Sequence, residues 1–183
     1  MGSYLNPGNK GFQESLNSEI YVDKTGLIEK TNEVLDTRQK FLCVSRPRRF
    51  GKSMAADMLA AYYERGEDSA ELFGTLKISK VESYEKNRNQ YDIIKVNMQE
   101  FLSMTHSMDE MLSMLQKYLI FDLTDHFDNV RFRDENNLIQ VMKDIYSKTK
   151  HSFVILIDEW DCLFREYQQD QEAQKKYLDF LRA

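Results

Sequence analysis

Phe41-Leu42-Cys43-Val44-Ser45-Arg46-Pro47-Arg48-Arg49-Phe50-Gly51-Lys52-Ser53 is the stretch on which the reading of this chain turns. Phe41 to Val44 is a short apolar run and predicts a buried strand. Pro47 pushes Arg46 out of the helical region, so the strand gives way to a loop. Met54 to Tyr62 reads Met-Ala-Ala-Asp-Met-Leu-Ala-Ala-Tyr, a run of good helix formers. Strand, tight loop ending in Gly-Lys-Ser, then helix is the context a phosphate-binding loop requires.

The chemistry follows from the residue types. Loop amides and a helix N-terminus carry partial positive charge, about half an elementary charge at the helix end. Gly51 lets the backbone come close to a phosphate. Lys52 reaches the β- and γ-phosphates, and the Ser53 hydroxyl suits Mg²⁺. The stretch departs from the Walker A pattern G-x-x-x-x-G-K-[ST] at its first glycine position, where Arg46 stands. The plainer alternative is a helix start that carries Gly-Lys-Ser and binds nothing.

At 183 residues the chain is long enough for one domain with a sizeable core. Hydrophobic residues make up 42% and charged residues 30%, as in ordinary globular proteins. The net charge of -5 does not favour a general nucleic-acid-binding surface. Cys43 and Cys162 lie far apart and read as buried, reduced thiols. No run has signal-peptide character or the length to span a bilayer, so a cytoplasmic location is expected.

Residues 1–19 are polar and rich in Gly and Asn, which predicts an irregular lead-in. Asp23 is a candidate N-cap for a helix through Leu27, Ile28 and Val34. Ser69 to Gly74 reads as a single capped turn, with Leu72, Phe73, Leu76 and Ile78 packing onto the core. Tyr91 to Asn97 predicts a strand. Ser107-Met108-Asp109-Glu110 is a capping box opening a helix with Met111, Leu112, Met114, Leu115, Tyr118 and Leu119 at helical spacing. Those methionines fit core filling better than a pliable binding face. Asp134 opens a further helix with Leu138, Val141, Met142, Ile145 and Tyr146 on one face.

Phe153 to Ile157 is unbroken and apolar, as in a parallel strand buried on both faces. It ends in Asp158-Glu159, the residues a Walker B strand end would carry. In a doubly wound sheet, ligands gather at the carboxyl ends of the strands, which places such a pair beside the phosphate loop. Asp158 is then the candidate metal ligand with Ser53, and Glu159 the group that orients or deprotonates water. A solvated strand end is the alternative for Glu159. A polar helix from about Gln171 to Ala183 completes the pattern.

Tyr21-Val22-Asp23-Lys24-Thr25, the Arg46 to Ser53 loop and the strand from Phe153 to Glu159 together resemble the bacterial AAA-ATPase-like family. Its members share a Y-V-D-K-T segment, an R-P-R-R-F-G-K-S loop and an apolar strand ending in D-E. Arg at the position of Arg46 is usual in that family. The resemblance spans nearly the whole chain and implies a P-loop NTPase of the class with an added catalytic glutamate. Members usually continue further, often into a restriction-nuclease-like domain. It also implies a later strand with a polar sensor residue and a charge-stabilising arginine. The chain is therefore expected to be incomplete at its C-terminal end, with a C-terminal domain or another protein as partner.

The expectation is a three-layer α/β/α P-loop fold with a mostly parallel sheet, its strands near 41–45, 91–97 and 153–158. Residues 1–36 form the lead-in and first helix, and 37–183 the nucleotide-binding core. Arg46, Pro47, Arg48, Arg49, Phe50, Gly51, Lys52 and Ser53 are the nucleotide-binding candidates. Lys52 and Glu159 are the catalytic candidates, Ser53 and Asp158 the metal ligands, and ATP with Mg²⁺ the cofactors. The function expected is an Mg-ATP-binding ATPase core, and the alternative is a non-enzymatic nucleotide-dependent module. Lack of an Asn/Thr-Lys-x-Asp motif tilts the base towards adenine. Arg48 and Arg49 fit solvation or carboxylate pairing better than an arginine finger. Tyr21 to Thr25 is either an adenine contact or a clasp on the sheet edge. His106, His126 and His151 lack metal-ligand spacing, and Trp160 reads as packing near the site.

Overall fold

In the computed structural model, which describes residues 3–45 and 50–182, the chain falls into two units, each with its own core. The first, the loop unit, takes in Asn6–Ile93 with Ser152–Val154. The second, the acidic unit, takes in the residues up to Leu5, Ile94–His151 and those from Ile155 onward.

The loop unit is built on helices α1 (Lys10–Leu16), α2 (Gly26–Val34) and α3 (Lys52–Tyr63). Two short helices, α4 (Ala70–Phe73) and α5 (Tyr84–Asn87), flank a 3-10 turn at Lys77–Lys80. Its core is aromatic: Phe12, Tyr62, Tyr63 and Phe73 are all buried. Phe12 stacks on Phe73 with ring centroids 4.8 Å apart, and Tyr62 meets Phe73 edge-on at 5.5 Å. Burying one such side chain contributes about 1.5–3 kcal/mol, enough to dock α1 against α3 although α1 is only two turns long. The lead-in is therefore not irregular throughout, as its composition predicts. Phe12, Ser15 and Leu16 recur at helical spacing, and packing overrides the local Gly and Asn content.

The acidic unit contains α6 (Met98–Met104), α7 (Met108–His126), α8 (Leu138–Thr149), α9 (Cys162–Glu166) and α10 (Gln171–Arg182). The capping box holds: the Ser107 hydroxyl accepts from the Glu110 amide at 3.2 Å, while Glu110 accepts from the His106 amide at 2.9 Å. Met111, Leu115 and Leu119 are buried on one face of α7, as their spacing requires. Helix α8 begins later than Asp134, with Asn137 as the cap accepting from Gln140. Asp122 on α7 accepts the amides of Tyr4 and Leu5, and Leu5 bridges antiparallel to Ile94.

Strands β1 (Asp92–Asn97) and β2 (Phe153–Asp158) pair in parallel, joined by a helical crossover, the connection parallel pairing demands. Among the described residues the sheet has these two strands, so the protein is a mixed α/β structure. Residues 41–45 form no strand, and Phe41 is 83% exposed. An apolar run becomes a buried strand only with ladder partners and covering layers, and Phe41 to Val44 has no ladder partner among the described residues. For the same reason Cys43 is exposed instead of buried. Strand β2, read as covered on both faces, is half-buried and leaves Ile155 52% exposed.

One buried carboxylate gives the loop unit a pH signature. Glu64 is 2% exposed, and its carboxylate accepts the Gly8 amide at 2.7 Å. Burial pushes its carboxyl above the ordinary range, with the Gly8 hydrogen bond pulling the other way. The folded state then holds this proton more tightly than the unfolded chain. The contribution of Glu64 to stability falls as pH rises from its unfolded pKa towards its higher folded one. Glu64→Gln keeps an acceptor for Gly8 and removes the charge. The difference in melting temperature, variant minus wild type, is expected to grow from pH 4 to pH 7 in thermal scans. A difference that shrinks over this interval contradicts the assignment.

Candidate functional site

Residues Arg46, Pro47, Arg48 and Arg49, named from the sequence as nucleotide-binding candidates, lie outside the described residues. The rest of that loop belongs to the loop unit. Gly51 is the N-cap of α3, in the left-handed region at φ 76° and ψ 37°. That backbone conformation is what favours glycine here, and the Lys24 ammonium lies 2.9 Å from where a Cβ would stand. The Gly51 carbonyl accepts from the Ala55 amide at 3.0 Å, which starts the helix. No side chain caps α3, and its first turn carries no acidic residue. The N-termini of α6, α7 and α8 are capped by Asn97, Ser107 and Asn137, while α1, α2 and α9 share with α3 the lack of a side-chain cap. A helix start whose N-cap is a glycine, followed by Lys52 and an exposed Ser53, is a setting that favours an anion. Phe50 projects to solvent, 60% exposed.

Lys24 is a neighbour that the sequence motifs left unassigned. Its ammonium donates to the Phe50 carbonyl at 2.7 Å. The signal was the Tyr21 to Thr25 segment itself. Asp23, expected to cap the helix directly, instead accepts from the Thr25 amide and hydroxyl at 2.8 and 2.6 Å and from the Lys77 amide at 2.8 Å. Thr25 takes the N-cap position of α2.

The acidic unit holds the other sequence candidates. Asp158 closes β2, and its carboxylate accepts from the Glu159 amide at 2.9 Å. Glu159 is outside the strand and left-handed, at φ 51°. Strand alternation therefore does not set where the two side chains point. The Glu159 carboxylate accepts from Arg165 at 2.8 Å, and Arg165 also donates to Asp161 at 3.2 Å. Arg165 was missed; its spacing of four from Asp161 is the usual signature of a helix-face pair. Trp160 packs edge-on against Phe164, centroids 5.9 Å apart, in keeping with its reading as a packing residue. Cys162 is buried, and burial pushes its thiol up to about 11, which makes it unreactive.

Among the described residues no group of three or more His, Cys, Asp or Glu could hold a metal ion. Ser53 carries a hydroxyl and Asp158 a carboxylate, each an oxygen donor of the hard kind that Mg²⁺ takes. A polar cavity of about 350 Å³ in the loop unit is lined by Arg65, Glu67, Arg88 and Asn89. Arg88 there is already paired with Asp68 and Glu85, so the cavity is not an anion site. No helix among the described residues is long and apolar enough to cross a membrane.

A helix start carrying Gly-Lys-Ser, and a strand that closes on Asp158 with Glu159 just beyond it, are features met in nucleotide-binding proteins. Residues 8–183 match the model of the AAA-ATPase-like family, described as "Predicted AAA-ATPase", and the chain belongs to that family. This supports an ATPase-like, nucleotide-binding role in coarse outline. Neither a curated protein nor a solved structure matches the chain.

Proposed function

We propose that this chain is the Mg-ATP-binding core of an ATPase with a three-layer P-loop fold, in which residues 37–183 carry the nucleotide chemistry. The observation that carries the reading is Gly51, left-handed at the uncapped start of α3 and followed directly by Lys52 and Ser53. In this reading the amides of Gly51, Lys52 and Ser53 wrap the phosphates, and the residues from Arg46 to Phe50 complete the loop. Lys52 brings its ammonium to the β- and γ-phosphate oxygens. Ser53 and Asp158 would hold magnesium, which when bound neutralises charge on the phosphate oxygens. Glu159 orients the attacking water and accepts its proton.

Lys52→Ala tests this directly. A hydrogen bond to a charged group contributes about 1.5–3 kcal/mol, which corresponds to roughly 10- to 150-fold in affinity. Titration with a fluorescent ATP analogue is expected to show a loss on that scale, with the melting temperature in the absence of nucleotide unchanged. Wild-type affinity and turnover in this variant refute the assignment.

One observation favours the second reading, a nucleotide-dependent interaction module without turnover. The Glu159 carboxylate is engaged by Arg165, and while that pair holds it does not take a proton from water. Phosphate release by the wild-type protein separates the two readings.

A further inference from the structure

We propose that Lys24 is a positioning residue for the phosphate loop: it locks the Phe50–Gly51 peptide so that the Gly51 N–H faces the bound anion. The inference rests on the nucleotide-binding reading above and adds to it a residue outside the Gly-Lys-Ser loop.

The Phe50–Gly51 bond is trans, since the described chain contains no cis peptide. In a planar trans peptide the C=O and the N–H point in opposite directions. The Lys24 ammonium holds the Phe50 carbonyl at 2.7 Å. Whatever side Lys24 occupies, the Gly51 N–H must then point to the other. Lys24 thus acts from behind the loop, and the phosphate face is left to Gly51, Lys52 and Ser53. The left-handed Gly51 has no Cβ to stabilise one orientation of this peptide, so an external hold has a physical purpose.

Lys24 can perform this task because its neighbours are fixed. Thr25 is completely buried, and its hydroxyl accepts the Ile78 amide at 3.2 Å. The Asp23 carboxylate binds the Thr25 and Lys77 amides. Burial pulls its pKa up, but the hydrogen bonds from Thr25 and Lys77 outweigh this and leave the carboxyl below its ordinary range, so it is charged near neutrality. Asp23 and Thr25 pin the segment, and the exposed Lys24 between them reaches across to the loop. The Tyr21 to Thr25 segment is thereby divided into two anchors and one working side chain.

The test compares Lys24→Met, Lys24→Arg and Asp23→Ala with wild type in the full chain. Three quantities are read: affinity for a fluorescent ATP analogue, melting temperature, and amide hydrogen exchange at Gly51 to Ser53 without nucleotide. Lys24→Met is expected to weaken nucleotide binding about 3- to 10-fold, the scale of a hydrogen bond to a charged group discounted for exposure. It should speed exchange at the loop amides and leave the melting temperature in place. Lys24→Arg, which keeps the charge and a donor, should restore both, and Asp23→Ala should lower the melting temperature. Weakened binding with unchanged loop exchange overturns the proposal in favour of direct phosphate contact by Lys24. A fall in melting temperature of Lys24→Met equal to that of Asp23→Ala overturns it in favour of a structural clasp. Wild-type binding with unaffected Lys24→Met overturns the positioning role alone. Failure of the wild-type chain to bind the analogue overturns both this role and the nucleotide reading beneath it.

Discussion

Glu159→Gln is expected to bind Mg-ATP as wild type does and to hydrolyse it about 2–4 powers of ten more slowly, the scale of a lost general base. Glutamine keeps the shape of the side chain and one acceptor oxygen, so substrate affinity has no reason to change. What it lacks is the carboxylate to which the proposed mechanism assigns the proton from water. The ground-state partner of that carboxylate is Arg165, at 2.8 Å. This pair is partly exposed, and exposed ion pairs contribute about 0–1 kcal/mol. Releasing Glu159 from Arg165 therefore costs little beside the activation energy at stake. Asp158→Asn provides the contrast, because it should weaken the magnesium dependence of binding itself. Phosphate release and magnesium titrations on the two variants decide the matter. Unchanged turnover in Glu159→Gln reduces this residue to a strand-end charge held by Arg165.

The left-handed backbone at Glu159 bears on the same question. A non-glycine residue at φ 51° costs about 1–3 kcal/mol and persists only where its surroundings enforce it. Here the Asp158 carboxylate accepts the Glu159 amide, and the Glu159 carbonyl accepts from Cys162 at 3.0 Å. The turn is held at both ends. Strain at an acidic residue just beyond a strand is consistent with a functional position.

Much of the local structure could be read from residue spacing. Helix α7 was legible because Ser107 and Glu110 cap it and Met111, Leu115 and Leu119 recur at helical intervals. Strand β2 and helix α3 were legible for the same kind of reason. Phe41 to Val44 was misread because a short apolar run states only what could be buried; the ladder partners that would bury it are encoded elsewhere in the chain. Helix α1 was missed because Phe12 gains its stability from Phe73, a contact that no window of neighbouring residues contains. The site divides likewise. Gly51, Lys52 and Ser53 announce themselves by chemistry, but Lys24 acts through one long-range hydrogen bond to Phe50, and Arg165 bridges Asp161 and Glu159 across a turn. Only coordinates reveal which carbonyl or carboxylate they reach.

Tyr62→Ala is expected to destabilise the loop unit by about 3–5 kcal/mol, the range for removing a large aromatic from a packed core. For a chain of this size that lowers the melting temperature by roughly 6–20 °C. Tyr62 is fully buried near the end of α3 and touches the rings of Tyr63, Phe73 and Tyr84. Its hydroxyl donates to the Tyr84 carbonyl at 2.7 Å and accepts from Asn32 on α2 at 3.2 Å. Burial pushes that hydroxyl up to about 12, so it stays protonated and able to donate at any physiological pH. Tyr63 next to it donates to the Asn32 side chain at 2.7 Å, which ties α3 to α2 a second time. Lys24 lies just before α2, and Gly51 lies just before α3. The tyrosine pair therefore fastens together the two helices whose starts carry the lysine and the loop. Tyr62→Phe retains the ring but leaves the Tyr84 carbonyl and the Asn32 amide without this partner, and about 1–3 kcal/mol is the expected loss. Thermal and urea denaturation of the two variants measure both numbers. If Tyr62→Ala costs no more than Tyr62→Phe, ring packing is not what secures this helix pair and the hydroxyl network alone holds it.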